Sequence, residues 1–403
     1  MKEHVHKPDR NGQLLSQFYR RLSIKPFLTI TDMFKQSTFY PLGFALLFWL
    51  SCAATSTPQA QNEYTFTSYV NGIEVPWGMD WLSSGELLVT DRSGILYVVR
   101  EGEIVAEYTE VLGDLYPERQ GGFLDVQTHP NHAENGWIYF SYSSTAGDGE
   151  GANTKIIRAK LGENGLEQVE TLYKATPNSK RGVHYGSRLE FGTDGTLYFT
   201  IGDRGNRDVN PQSLSIDGGK VYRINDDGSI PQDNPFVGQA NAIEAVYSYG
   251  HRNQQGMERH PVTGQMWAHE HGPRGGDELN IIQPGKNYGW PVISYGINYN
   301  GTPFAEDSVR EGMQQPIQYW VPSIAPSGMT FVTSDRYPDW KGHLLVGSLK
   351  FGLVELLQLD GDTVLSRTEV LQGIGRVRSI KQGPDGYIYV GVTGQGIFRV
   401  EGV

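Results

Sequence analysis

A single cysteine, Cys52, stands in this chain, so no intrachain disulfide can form and a folded state must be held by packing or by a metal. Long apolar runs are missing too: the strongest, over 41–50, is too short to span a bilayer as a stable helix. Positive charge is in deficit. The 34 Lys and Arg against 45 Asp and Glu leave a formal net charge of −11, and no Lys/Arg run offsets it. That excludes a general nucleic-acid binder, which needs a basic face to displace counterions from phosphates. Helical periodicity is scarce beyond the N-terminal segment. What the chain has instead is 50 glycines, 22 tyrosines and 8 tryptophans, the signature of many short strands joined by tight turns.

The apolar run is followed by the small and polar residues Ser51-Cys-Ala-Ala-Thr-Ser-Thr-Pro58, and together they read as an export signal. Its depth in the chain is unusual, and a start at Met33 gives a more ordinary signal. Cys52 sits where a lipoprotein signal places its modified cysteine, although Trp49-Leu50-Ser51 fits that pattern only in part. The expected division is therefore an extension and signal over 1–61 and a folded domain over 62–403. The mature protein is expected in the periplasm or secreted, with a lipid anchor through Cys52 as a second form of the same reading.

A repeat sets the expected fold. A glycine, one variable residue and three mostly apolar residues recur as Gly85-Glu-Leu-Leu-Val89, Gly136-Trp-Ile-Tyr-Phe140, Gly195-Thr-Leu-Tyr-Phe199, Gly264-Gln-Met-Trp-Ala268, Gly342-His-Leu-Leu-Val346 and Gly386-Tyr-Ile-Tyr-Val390. Turn residues such as Thr193-Asp194 and Pro384-Asp385 precede most copies, so each copy is expected to be the second strand of a hairpin. Trp77–Trp81 and Ser187–Phe191 are expected first strands. Six such units predict an all-β, six-bladed β-propeller with four-stranded blades, a radial arrangement that protects its sheet edges. An antiparallel sandwich also shows short strands and turns, but six similar units fit it badly. The stretches 205–245 and 285–318 read as loops on one face, where radial folds carry function.

Polar residues concentrate just past several of these strands, in Thr200-Ile-Gly-Asp-Arg-Gly205, in His269-Glu-His-Gly-Pro-Arg-Gly-Gly-Asp-Glu278 and in Gly347-Ser-Leu-Lys350. Propeller geometry would bring them together near the axis. His184, just before a strand, offers an imidazole that can take a proton near neutral pH, although a lone histidine is more often structural. Arg252 and Asn253 set a guanidinium beside an amide, suited either to a planar anion or to an inter-blade hydrogen-bond network. Arg376 and Arg378 alternate onto one face of an extended segment and, with Lys350, make a cationic cluster in an acidic protein. The Gly- and Pro-rich segment 271–277 exposes carbonyl oxygens of the kind that suit Ca²⁺. Asn225-Asp-Asp-Gly228 and Asp360-Gly-Asp362 read as plain turns.

Taken together, His184-Tyr-Gly-Ser-Arg188, Gly195–Gly205, Gly250-His-Arg-Asn-Gln-Gln-Gly256, Glu270–Asn280, Asn287-Tyr-Gly-Trp-Pro291 and Pro322-Ser-Ile-Ala-Pro-Ser-Gly328 resemble the soluble aldose sugar dehydrogenases that use pyrroloquinoline quinone (PQQ), relatives of soluble quinoprotein glucose dehydrogenase. The resemblance runs from about Pro76 to the C-terminus. It implies oxidation of the C1 hydroxyl of an aldose to a lactone, with His184 as general base, hydride passing to the quinone, and Arg252 stabilising the charge that develops there. It also implies Gln120, Asn253, Asp277, Lys350, Arg376 and Arg378 as cofactor contacts, carbonyls of Gly272 and Pro273 as ligands of a Ca²⁺ that touches the cofactor, and an electron acceptor that is a cytochrome or a quinone. Val183 and His271 depart from the Asp and Gln of the glucose dehydrogenase branch, which favours the broader aldose branch. Two other readings stay open: a calcium-dependent propeller lactonase, which needs a metal cage of side-chain oxygens, and a propeller that binds sugar or protein without chemistry.

Overall fold

The computed structural model describes residues 63–403; the expected signal, the Met33 start and Cys52 lie outside the described residues. The described residues form six four-stranded antiparallel sheets, each built in sequence order from the axis outwards except the last. The first strands of the six sheets, Pro76–Trp81, Phe123–Thr128, Leu189–Phe191, Gln254–Arg259, Pro326–Phe331 and Val377–Gln382, touch one another in a closed ring. This is the expected six-bladed propeller. In the last blade the outermost strand is Tyr64–Val70, from the other end of the folded chain, paired antiparallel with Gly396–Gly402.

All six glycine copies are second strands, as expected: Leu87–Asp91, Ile138–Ser144, Leu197–Ile201, Met266–Glu270, Leu344–Ser348 and Ile388–Val392. Blades stack face to face, so these strands are buried on both sides and read as continuous apolar runs rather than alternating ones. The outer strand Glu103–Tyr108, with one face in water, alternates. Near the axis there is little room. A Cβ on Gly328 would lie 2.3 Å from the backbone nitrogen of Ile380 in the next blade, and one on Gly78 would lie 2.8 Å from that of Val126.

The two expected loops need correction. Residues 220–224 within the first are a buried strand, the third of its blade. Because that strand reverses the chain, 202–219 lies at the end where second strands finish, whereas 225–245 lies at the opposite end. The second stretch is a loop that climbs. It leaves the far end after Ile282, runs beside Tyr249 through a parallel bridge at Asn287, and reaches the near end, where Ile297 pairs with Arg274.

Candidate active site

At the end where second strands finish, a cavity of about 250 Å³ opens on the axis. Gln120, Asn253, Arg376 and Arg378, four of the expected cofactor contacts, line it together with Trp77, Arg92, Tyr185, Gln255 and His271. Its floor is Arg188, whose guanidinium donates to the carbonyls of Gln255 (2.7 Å), Trp77 (3.2 Å) and Arg378 (3.2 Å) and to Asp125 Oδ1 (3.1 Å). One side chain thereby ties four blades at the axis.

The cavity is strongly cationic. Arg378 is partly buried, and burial together with Arg188, Arg376 and Arg92 pulls its guanidinium well below the usual arginine range, with Asp125 as counter-charge. Arg378 donates to Gln255 Oε1 at 2.6 Å, yet its Nε has no partner. A buried donor without an acceptor costs about 1–3 kcal/mol, so this site is built for an anion. Arg376 is braced by the carbonyl of Leu349 at 2.9 Å.

His184 sits on the loop before Leu189–Phe191, in a left-handed backbone conformation with φ of 53°. Its backbone N–H donates to Gln120 Oε1 at 2.8 Å, so the residue that lines the cavity also anchors the histidine. Its Nδ1 lies 2.6 Å from Asp203 Oδ1. An ionised carboxylate only accepts, so the neutral imidazole carries its proton on Nδ1 and keeps a free lone pair on Nε2. Burial holds the imidazole below its ordinary pKa, Arg252 pushes the same way, and the hydrogen bond that His184 donates to Asp203 pulls against both. For Asp203 burial works upwards, but the His184 hydrogen bond and the charges of His184 and Arg252 outweigh it and keep the carboxyl below the usual range.

Arg252 is buried, its Nη1 bonded to the carbonyl of His271 at 3.0 Å and its backbone N–H to Glu270. Asn253 Oδ1 takes the backbone N–H of Gly186 at 3.1 Å. His271 donates from Nε2 to the carbonyl of Pro326 at 2.6 Å, and burial drives its pKa to about 3, so it stays neutral.

The remaining expected contacts are placed differently. Asp277 is fully buried and outside the cavity lining. Its Oδ1 takes the N–H of Gly272 and its Oδ2 those of Ile324 and Ala325, so the carboxylate folds the 271–277 loop. Lys350 is exposed, next to the lining residue Leu349, and donates to the carbonyl of Ser323 at 3.0 Å. The carbonyls of Gly272 and Pro273 accept no backbone hydrogen bond and follow His271 directly, which suits them to a hard cation.

Several residues of this site carry no role from sequence alone, among them Asp203, Trp290, Arg92 and Gln255. Asp203 and Trp290 lay inside quoted motifs. Arg92 follows Asp91 at the end of a glycine strand, and an Asp-Arg pair, Asp203-Arg204, also comes just after another such strand, a signal that could have drawn notice to it. Gln255, two residues beyond Asn253, carried no separate signal.

Residues 73–398 match the family model described as Glucose / Sorbosone dehydrogenase. The chain is 38% identical to aldose sugar dehydrogenase YliI of Escherichia coli (strain K12) over 325 residues, 79% of this chain and 87% of that protein. It is 28% identical to quinoprotein glucose dehydrogenase B of Acinetobacter calcoaceticus, covering 80% of this chain and 84% of that one. Among solved structures, the PQQ-bound form of aldose sugar dehydrogenase from Streptomyces coelicolor superposes with a TM-score of 0.71 at 27% identity, covering 86% of this chain and all of that one.

Proposed function

The chain belongs to the glucose/sorbosone dehydrogenase family, and from that membership we propose that it oxidises aldose sugars at C1 to lactones with PQQ and Ca²⁺ bound in the axial cavity. The observation that carries the proposal is an anion-seeking cavity beside an oriented base: Arg378 Nε is unpaired in the lining, and the lining residue Gln120 holds the backbone of His184, whose Nδ1 is fixed by Asp203. PQQ is a planar tricarboxylate, and when bound it supplies the hydride acceptor. Arg92, Arg376 and Arg378 would meet its carboxylates and Gln120 and Asn253 would orient it, all five lining the cavity, while the carbonyls of Gly272 and Pro273 would hold the cation. Asp277 serves that site indirectly by folding the loop.

His184 takes the proton of the sugar's C1 hydroxyl on Nε2 as hydride leaves C1. The imidazolium so formed is stabilised by Asp203, and Arg252 offers positive charge to the acceptor side. Lys350, exposed and next in sequence to the lining residue Leu349, would contribute a cation to the rim. The protein is proposed to act in the periplasm or as a secreted enzyme; among the described residues no helix is long and apolar enough to cross a membrane. A lactonase would need a cage of side-chain ligands, and among the described residues no group of three or more His, Cys, Asp or Glu side chains gathers into one.

Dye-linked oxidation of a panel of aldoses, with and without PQQ and Ca²⁺, tests the proposal. Turnover that requires both supports it; full activity after exhaustive chelation and without added quinone refutes it.

A further inference from the structure

Trp290 stands outside the cavity lining, yet it touches both halves of the catalytic arrangement. The climbing loop delivers it: its N–H donates to the carbonyl of Gly250 at 2.8 Å, and its own carbonyl accepts from Gln212 Nε2 at 2.8 Å. The buried indole Nε1 then donates to Asp203 Oδ2 at 2.9 Å. The other carboxylate oxygen is taken by His184 Nδ1 at 2.6 Å and by the N–H of Gly205 at 2.7 Å. With both oxygens committed, the carboxylate cannot rotate, and His184 is held by a fixed partner. The same indole ring faces the Arg252 guanidinium, 5.3 Å from the ring centroid, and is backed edge-on by Phe304 at 5.2 Å.

We infer that Trp290 is a positioning residue that sets the basicity of His184 through Asp203 and steadies Arg252 with its ring face. The electrostatic part holds for the protein without cofactor; its meaning for turnover rests on the dehydrogenase reading above. The direction follows from charge. A donor to a carboxylate spreads its negative charge and lowers its basicity. Without the indole N–H, more charge stays on Oδ1 and the His184 imidazolium is better stabilised. The groups that face His184 are Asp203, Arg252, Arg204 and His271; of these only Asp203 accepts the indole N–H, and a Phe ring keeps the packing against Arg252, so the change passes through Asp203.

The test is Trp290→Phe, which keeps a ring under Arg252 and removes the N–H. His184 is followed by NMR through its Cε1–H resonance in quinone-free protein, assigned with His184→Gln. The expected result is a His184 pKa raised by roughly 0.5–1 unit. In the PQQ-loaded enzyme the acid limb of the kcat/KM profile should move up by the same amount, while quinone affinity stays within about threefold. An unchanged His184 titration in Trp290→Phe overturns the inference, whatever happens to activity. So does an equal shift in an Asp203→Asn background, where the relay is already cut. Should Trp290→Phe fail to fold, the indole N–H resonance of the wild-type protein decides: it must move upfield in Asp203→Asn, and a resonance that stays in place refutes the contact. Absence of quinone-dependent turnover with the NMR shift intact would instead count against the dehydrogenase reading alone.

Discussion

Arg188 reaches Asp125 of the neighbouring blade at 3.1 Å, and the pair separates two chambers. Above it lies the cationic cavity. Below it lies a smaller space lined by Asp125, Glu190, Glu258 and Lys381. Both partners are buried, so removing one leaves an uncompensated charge. Arg188→Met should cost about 3–5 kcal/mol in denaturant unfolding, and the double variant with Asp125→Leu should recover part of it. A loss below about 1 kcal/mol would mean that water replaces the pair.

The base should separate chemistry from binding. His184→Gln removes the proton acceptor without changing the cationic lining, so turnover should fall by roughly 10²–10⁴-fold. Quinone affinity, read by fluorescence quenching, should stay within a few-fold. Parallel loss of both would place His184 in cofactor binding instead.

The cations should show the opposite trade. Within the cavity Arg378 is crowded by Arg188, Arg376 and Arg92. Arg378→Met relieves that repulsion and should raise the melting temperature of the quinone-free protein. It should also weaken quinone binding by about 1.5–3 kcal/mol, the usual worth of a hydrogen bond to a charged group. A variant less stable than wild type without quinone would show that the guanidinium is needed structurally.

The lower chamber predicts a stability that declines in alkali. Burial raises Glu190 to a pKa of about 7 and Glu258 to about 8, the latter also through Glu190, while Lys381 opposes both shifts. These folded values lie above that of an unfolded glutamate, so the folded protein holds the extra protons. The associated stability is present in full below about pH 4.5 and is lost as pH rises through 7 and 8. Relative to wild type, Glu258→Gln should gain stability steadily between pH 4.5 and pH 8, by on the order of a few kcal/mol in all, as thermal unfolding at pH 4.5 and pH 8.5 would show.

The blades were legible because their signal is local. Each glycine copy follows a turn that needs a left-handed residue, and each is a continuous apolar run since its strand is buried on both faces; Gly195 at φ 80° and Gly386 at φ 80° are such residues. Lys220–Ile224 was read as loop because 202–219 and 225–245 flank it with turn-rich sequence and hide five strand residues. Within the site, Gln120, Asn253, Arg376 and Arg378 could be named as cofactor contacts because the family resemblance implies them position by position, and the fold brings all four to one cavity. The division of labour among carboxylates could not. Asp277 and Asp203 both follow strands in glycine-rich segments, and only the fold shows that one bonds three backbone N–H groups while the other orients a histidine. Trp290 belongs to a loop that crosses from one blade to its neighbour, a path no periodicity encodes.

The sixth blade has its own timetable. Thr67 and Glu401 meet in it across 334 positions of sequence. Loop closure over so long a span is slow to be rewarded, and non-local pairing governs folding rate. A chain delivered from its N-terminal end, by synthesis or by passage through a membrane, can assemble five blades from contiguous sequence as each emerges. The last must wait with Tyr64–Val70 unpaired until Gly396–Gly402 arrives, and during that wait the strand is an open edge that another chain could claim.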